Sequence, residues 1–479
     1  MSRVRRWVGA GLMAALCGSP AMAEDLMQVY RQALESDPVL KAAVANRDAA
    51  QEAKPQARAL LLPSVGINAD QSRSSVSGQT DLNTHTYALS VQQPLYNRGN
   101  LVQQRLADAV IGQSDVDLRN TENTLILRVS QGYFGVLAAL DDLTYATAEK
   151  NAFARQLEQA NRRFEVGLAT ITDVYDAQAR FDAAVSQEIA ATNTLADARE
   201  SLRQLTGQEY ARLNLLSEQM PLTLPKPTDP EAWVRMALDN NLQLLSAGFT
   251  VEQARQNIQL QKAGHYPTLN LQAVSADFDT DVISGTRNEV SLQLAIPLYT
   301  GGAVSSRSRQ AAYTYEASRQ SLENLQRDTI RTVRNAYRGQ ETAISQIKAL
   351  DQTRVSTRSA LEANQAGYEV GTRTIVDVLD AERNVYLAAR NYAAARYSYI
   401  ANYLTLRQAA GQLSEADVTE INGWLGGPRS TSDITAELEG PAKSPGSGAG
   451  LEISAKPMGE APISPPPSKS RSNGKPAHK

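Results

Sequence analysis

Along the chain, the spacing of apolar positions switches between two periods, and it does so twice. From Leu26 to Leu61, Ala and Leu recur at helical spacing with Gln, Lys and Arg between them, broken at Ser36-Asp37-Pro38, where a helix stops and restarts. Glu231 to Ala263 repeats the pattern, with Asp239-Asn240-Asn241 at the break. Both stretches run out just before a proline, Pro63 or Pro267, and the residue before proline disfavours helix. The period then falls from 3.6 to 2. Val65, Ile67 and Ala69 alternate with Ser64, Gly66, Asn68 and Asp70; Tyr87, Leu89 and Val91 alternate with Ala88, Ser90 and Gln92, closing at Pro94. In the second half Leu269 and Leu271 alternate with Asn270 and Gln272, and Val290, Leu292, Leu294 and Ile296 alternate with Glu289, Ser291, Gln293 and Ala295, closing at Pro297. Polar stretches, roughly Ser74 to Asn83 and Asp279 to Arg287, join the strands of each pair. The pattern predicts one β-hairpin per half, over about 64–94 and 268–297.

Strands of about ten residues match what a tilted strand needs to cross a bilayer. A soluble hairpin with one wet face is the plainer alternative. Four strands of similar length, each with small or polar residues on one face, favour a membrane barrel. Four cannot close one, because closure takes about eight. An open sheet in lipid leaves edge N–H and C=O groups unpaired, at several kcal/mol each. Other copies of the chain must therefore complete it, and two, three or four copies all satisfy the count.

After each hairpin the helical period returns over an exceptional length. Gly99 to Glu165 and Ala303 to Glu369 hold no proline and little glycine; about 67 residues make a rod on the order of 100 Å. Each rod ends at a Val-Gly pair, Val166-Gly167 or Val370-Gly371, where glycine accepts a left-handed conformation. Thr170 or Thr374 then caps a return helix that reaches Gly207 or Gly411. The result is two antiparallel helical hairpins, about 99–206 and 303–410. Val136, Leu140 and Leu143, like Ile375, Val378 and Leu379, share one helical face and read as an ordinary coiled-coil seam.

The two halves are one unit written twice, about 204 residues apart. Phe164-Glu165-Val166-Gly167 returns as Tyr368-Glu369-Val370-Gly371, and Leu202-Arg203-Gln204 with Gly207 returns as Leu406-Arg407-Gln408 with Gly411. The repeats span 24–207 and 231–411, separated by 208–230 and followed by 412–427, two short mixed segments expected to form a belt outside the rods. Pro, Gly, Ser and Lys dominate 428–479, which is expected to be disordered.

Composition narrows the chemistry. Six Phe and three Trp in 479 residues suit narrow helical seams better than thick cores. Arg3, Arg5 and Arg6, an apolar run from Trp7 to Leu16 and Ala21-Met22-Ala23 read as a secretory signal peptide over 1–23. The sole cysteine, Cys17, lies inside it, and the bulky Leu16 before it argues against lipid attachment. The mature chain then has no thiol for disulfides, zinc or catalysis. Removing three arginines takes the net charge from −3 to about −6, far from a nucleic-acid binder. His85, His265 and His478 are far apart in sequence, and no phosphate loop or nucleophile elbow is present. Neither an enzyme nor a cofactor or metal site is expected.

The run from Tyr368 through Val370-Gly371-Thr372-Arg373-Thr374-Ile375-Val376-Asp377-Val378-Leu379-Asp380 to Ala381 resembles the second helical turn of the TolC family of Gram-negative outer-membrane exit ducts. The likeness covers Glu24 to Leu413, and without a suitable lipobox the chain is similar to the non-lipidated members rather than the lipid-anchored efflux relatives. The resemblance implies a homotrimer: a twelve-stranded β-barrel in outer-membrane lipid, continued by a twelve-helix periplasmic α-barrel with a small equatorial mixed region. It implies a duct for multidrug efflux and type I protein secretion, working with a periplasmic adaptor and an inner-membrane ABC, RND or MFS transporter.

Site residues follow position by position. Asp377 and Asp380, three apart on one helical face, would otherwise be two solvated acids near a helix start; they match a cation-selective aspartate ring at the periplasmic entrance. Tyr368 and Arg373 match a latch that bonds the neighbouring hairpin and shuts the tunnel, with Thr172 and Asp173 as partners. Val166, Gly167, Leu168, Val370, Gly371 and Thr372 match the turns that meet the adaptor. The rival class is a periplasmic coiled-coil structural protein without a channel.

Overall fold

A computed structural model describes residues 24–426 except 76, 79, 80 and 211. The expected signal peptide over 1–23 and the tail over 428–479 lie outside the described residues.

The chain opens with α1 (Leu26–Ser36), α2 (Pro38–Gln51) and α3 (Ala53–Ala59). Asp37 separates the first two: its carboxylate accepts from the Leu40 N–H at 2.9 Å, and Pro38 takes the first position of α2. A second break, at Glu52, departs from the expected single interruption. Pro55 sits in the first turn of α3, where its missing N–H has no helical partner to lose. The second repeat has one break, with Asn241 capping between α6 (Pro230–Asn240) and α7 (Leu242–Lys262).

Strands β1 (Ser64–Ser74), β2 (Leu82–Asn97), β3 (Thr268–Thr280) and β4 (Ser284–Ala295) form one antiparallel sheet in the order β1-β2-β3-β4. The two hairpins thus pair with each other through β2 and β3. Strand β2 runs past Pro94, contrary to the expected stop, because a register shift between Pro94 and Tyr96 absorbs the missing donor. The second hairpin loop is shorter than expected: Thr280 Oγ1 accepts from the Ile283 N–H at 2.9 Å and donates to its carbonyl at 2.7 Å, closing a tight turn.

Register sorts the faces. Val65 pairs with Val91 and Ile67 with Leu89, while Ala273 pairs with Val290 and Leu271 with Leu292. Cross-strand partners share a face, so these residues and Tyr87 make one apolar band. Ser64, Gly66 and Asn68, with Gln92, Ser90 and Ala88, lie on the other face. The band is bare within one chain: Ile67 is 77% and Val290 76% exposed.

The rods are α4 (Arg98–Glu165) and α8 (Ala303–Glu369), and their return partners are α5 (Ile171–Thr206) and α9 (Ile375–Ala409). Among the described residues, no helix is long and apolar enough to cross a membrane. The main core lies beside the middle of the rods, where Leu26, Tyr133, Leu137, Tyr399 and Trp424 pack with α10 (Glu415–Asn422). Segment 208–230 is tied to the rods by two buried tyrosines. Tyr133 donates to the Asn214 carbonyl at 2.8 Å, and its repeat counterpart Tyr337 donates to the Thr228 carbonyl at 2.6 Å.

Candidate functional site

The candidate residues collect where each rod turns back. In the first turn the Gly167 N–H donates to the Phe164 carbonyl at 2.9 Å and Leu168 N–H to the Arg163 carbonyl at 2.8 Å. In the second, Gly371 N–H meets the Tyr368 carbonyl at 3.2 Å and Thr372 N–H the Gly367 carbonyl at 2.8 Å. Gly167 and Gly371 sit at φ 76° and 78°, which only glycine adopts without strain. Thr170 and Asp173 then form a reciprocal cap at the start of α5, and Thr374 with Asp377 forms the same cap on α9. Val166, Leu168 and Val370 project from the turns, each more than two-thirds exposed.

The two aspartates of the expected ring occupy different environments. One oxygen of Asp377, Oδ2, accepts from the Thr374 N–H at 2.9 Å and the Thr374 hydroxyl at 2.8 Å. The backbone bond first, then the hydroxyl, with the nearby Arg373 charge adding to both, holds its carboxyl below the usual carboxylate value. Asp377 therefore stays ionised through the neutral range. Asp380 instead accepts from Arg180 of α5, Nη2 to Oδ1, at 2.6 Å.

The expected latch pairs do not form within a single chain. Thr172 bonds the Thr170 hydroxyl at 2.6 Å, and Asp173 receives the Thr170 N–H at 2.9 Å. The Tyr368 ring lies under the Arg163 guanidinium, 4.5 Å from centroid to carbon. Among the described residues no hydrogen bond or ion pair joins Tyr368 or Arg373 to Thr172 or Asp173. Instead, the two turns meet through apolar packing. Ile375 and Leu379 at the start of α9 are buried against Phe153, Ala160, Ala177 and Ala184 of the first hairpin, with Tyr368 half-buried beside them.

Higher up, α9 is docked on α4 by charge. Arg390 places Nε 3.1 Å from Asp142 and Nη2 3.4 Å from Glu149, while the Tyr397 hydroxyl donates to Asp141 at 2.6 Å. Burial pushes the Glu149 carboxyl up, with Arg390 and Arg383 opposing and Asp142 reinforcing. Sequence reading missed Arg180, Arg390 and these three acids, yet a signal exists. At the repeat's own offset, Asp141, Asp142 and Glu149 face Ser345, Gln346 and Thr353, while Arg180 and Arg390 face Asn384 and Ser186. Charge appears where the repeat breaks its own pattern.

A sequence model of the family described as outer membrane efflux protein matches residues 29–208 and 233–412, the same two repeats. The chain is 40% identical over 416 residues to outer membrane protein TolC of Vibrio cholerae, covering 85% of this chain and 95% of that one. It is 39% identical over 441 residues to TolC of Escherichia coli, covering 88% and 89%. The alkaline protease secretion protein AprF of Pseudomonas aeruginosa is 31% identical over 440 residues, covering 87% and 90%. Among solved structures, the CusC transmembrane channel superposes with a TM-score of 0.71 at 17% identity, covering 83% of this chain and 95% of that one. The outer membrane protein VceC of Vibrio cholerae superposes at 0.70 and 18% identity, covering 81% and 96%. With the doubled strand–rod architecture, the glycine turns and this breadth of identity together, the chain belongs to the outer membrane efflux protein family, on the side of TolC.

Proposed function

We propose that this protein is an outer-membrane exit duct, a homotrimer whose barrel crosses the outer membrane and whose helical tunnel spans the periplasm. One observation carries this reading: a four-stranded sheet with an apolar face, a polar face and two unpaired edges. In lipid each unpaired edge group costs several kcal/mol, so neighbouring copies must continue the sheet. Its apolar band then meets lipid and its Ser-, Gly-, Asn- and Gln-bearing face lines a wet lumen. Three copies supply the twelve strands and twelve helices that the family resemblance calls for. A periplasmic coiled coil without a channel would leave Ile67, Val290 and their neighbours bare to water.

The cargo reading, drugs by efflux and proteins by type I secretion, is supported by likeness to efflux and protease-secretion relatives. The exposed turns at Val166-Gly167-Leu168 and Val370-Gly371-Thr372 suit contact with a periplasmic adaptor that couples the duct to an inner-membrane ABC, RND or MFS transporter. Asp377 and Asp380 from three chains would ring the entrance and favour cations. Tyr368 and Arg373 would latch onto Thr172 and Asp173 of the neighbouring hairpin across subunits, since inside one chain they do not meet. An arginine forks two donors onto a carboxylate.

The test is reconstitution of the purified protein in a planar bilayer. Asp377→Ala with Asp380→Ala should abolish cation block of the conductance, and Tyr368→Phe with Arg373→Ser should raise the conductance itself. A water-soluble monomer without pore activity overturns the reading. Crosslinking from either turn that captures no adaptor removes the docking role alone.

A further inference from the structure

The entrance residues carry an asymmetry that lies outside the run from Tyr368 to Ala381. Arg180 is the sole cation bonded to Asp380 among the described residues, at 2.6 Å across the junction of α5 and α9. Packing holds the pair in place. Arg180 lies between Ala177 and Ala184, both buried in the apolar contact that also takes in Leu379, the residue before Asp380. The register of α5 against α9 is thus set by that contact, and the two charges are brought together by it. A guanidinium stays protonated at any physiological pH. Its charge therefore offsets Asp380 permanently, and its Nη2 occupies one of the two carboxylate oxygens. Asp377 differs: the groups bonded to it are the neutral N–H and hydroxyl of Thr374, and the nearby Arg373 charge acts on it without a bond. The repeat itself does not call for an arginine here, since the counterpart of Arg180 is Asn384.

We infer that Arg180 is a specificity-setting residue of the entrance: by pairing with Asp380 it leaves Asp377 as the carboxylate that meets a cation, so the ring acts with half its formal charge. The inference rests on the entrance reading proposed above. The test is Mg2+ titration of single-channel conductance for the full-length trimer in a planar bilayer, with Mg2+ added on the entrance side. Arg180→Gln doubles the net negative charge that Asp377, Asp380 and Arg180 together contribute, and should lower the blocking Mg2+ concentration about fivefold. Arg180→Lys, which keeps the charge, should restore the wild-type value. Asp380→Asn leaves Arg180 as an unpaired cation and should weaken block, and adding Arg180→Gln to Asp380→Asn should return block close to the wild-type value, since the net charge is again one negative per chain. The last arm separates electrostatics from loosened packing, which would persist without Asp380. Block that needs the two aspartates but is unchanged in Arg180→Gln overturns this inference alone. Block that survives Asp377→Asn with Asp380→Asn overturns the entrance reading and this inference together.

Discussion

The two repeats share a backbone and differ in what their helices touch. Return helix α5 buries a sparse seam in which Ala177, Ala184 and Ala191 fall seven residues apart, and most of its surface is bare. Its counterpart α9 buries Ile375, Val378, Leu379, Val385, Tyr386, Tyr399, Ile400, Leu404 and Leu406. The difference arises because α5 packs along its own rod, whereas α9 lies between its own rod and that of the first repeat. Duplication supplied two equal hairpins, and docking one on the other demanded divergence. The acids went to α4 and the bases to α9, so the contact is complementary where two identical copies would have repelled or merely faced each other.

The same comparison holds at the helix ends. Gly207 and Gly411 occupy equivalent positions at φ 70° and 67°. A Cβ on Gly411 would lie 2.3 Å from the Asn240 carbonyl oxygen, whereas on Gly207 the nearest atom is Ser36 Cβ at 3.9 Å. Gly411→Ala should therefore cost about 3 kcal/mol or more, and Gly207→Ala about 1 kcal/mol, from backbone strain alone. Denaturant unfolding of the two variants in detergent measures the gap, and equal losses would mean that the second repeat's junction can relax.

Removing Arg390 strands Glu149 in a buried site. Arg390→Met should destabilise by about 3 kcal/mol at neutral pH. The sign with pH is set by the raised Glu149 carboxyl. Its ionised form is penalised in the folded chain, so stability is held below the unfolded carboxylate value and lost as pH rises through the folded one. The Arg390→Met defect should accordingly shrink on acidification, as thermal unfolding at pH 5 and pH 8 would reveal. A pH-independent defect would point to lost packing instead.

The paired caps differ as well. Asp37 is buried and bonded to Arg128 at 2.6 Å, while its counterpart Asn241 is neutral and donates to the Ala409 carbonyl at 2.9 Å. Burial pushes the Asp37 carboxyl up, but the bonds from Arg128 and the N–H groups of Leu40 and Val39 outweigh it, leaving it below the ordinary value. A lowered carboxylate stabilises above its unfolded value and loses that contribution as pH falls through the folded one. Asp37→Ala should cost about 2 kcal/mol at neutral pH and much less in acid. Asn241→Ala should cost about 1 kcal/mol with no acid dependence of its own. An effect as small as that of Asn241→Ala is expected at the tyrosine tethers. Tyr133→Phe and Tyr337→Phe each remove one hydroxyl donor to segment 208–230, for about 1 kcal/mol. Tyr133 should lose more, since its hydroxyl meets the Asn214 and Glu24 carbonyls of half-buried residues, whereas Thr228 is exposed.

Much of this architecture is legible in the residues themselves because it is local. Period 2 after Pro63 and Pro267, period 3.6 over the rods, Val-Gly turns and Thr caps each depend on neighbours within about five positions. The breaks that misled are also local but subtler. Pro94 reads as a strand end until a bulge in its own strand, between Pro94 and Tyr96, absorbs it, and the Glu52 break hides within an Ala-rich helical run. Thr374 was legible as a cap because it directly follows the Val-Gly turn and precedes the apolar run from Ile375.

Read alone, the sequence dictates the doubled unit, the amphipathic strands and the tip at which each rod turns. What the tertiary structure added is which charges meet. Arg180 and Asp380 are 200 residues apart, and Tyr397 and Asp141 are 256 apart. No periodicity reports such pairs, because they depend on how one hairpin rolls and slides on the other. That registry is chosen by the buried contact of Ile375 and Leu379 with Phe153 and the α5 alanines, a matter of shape rather than spacing.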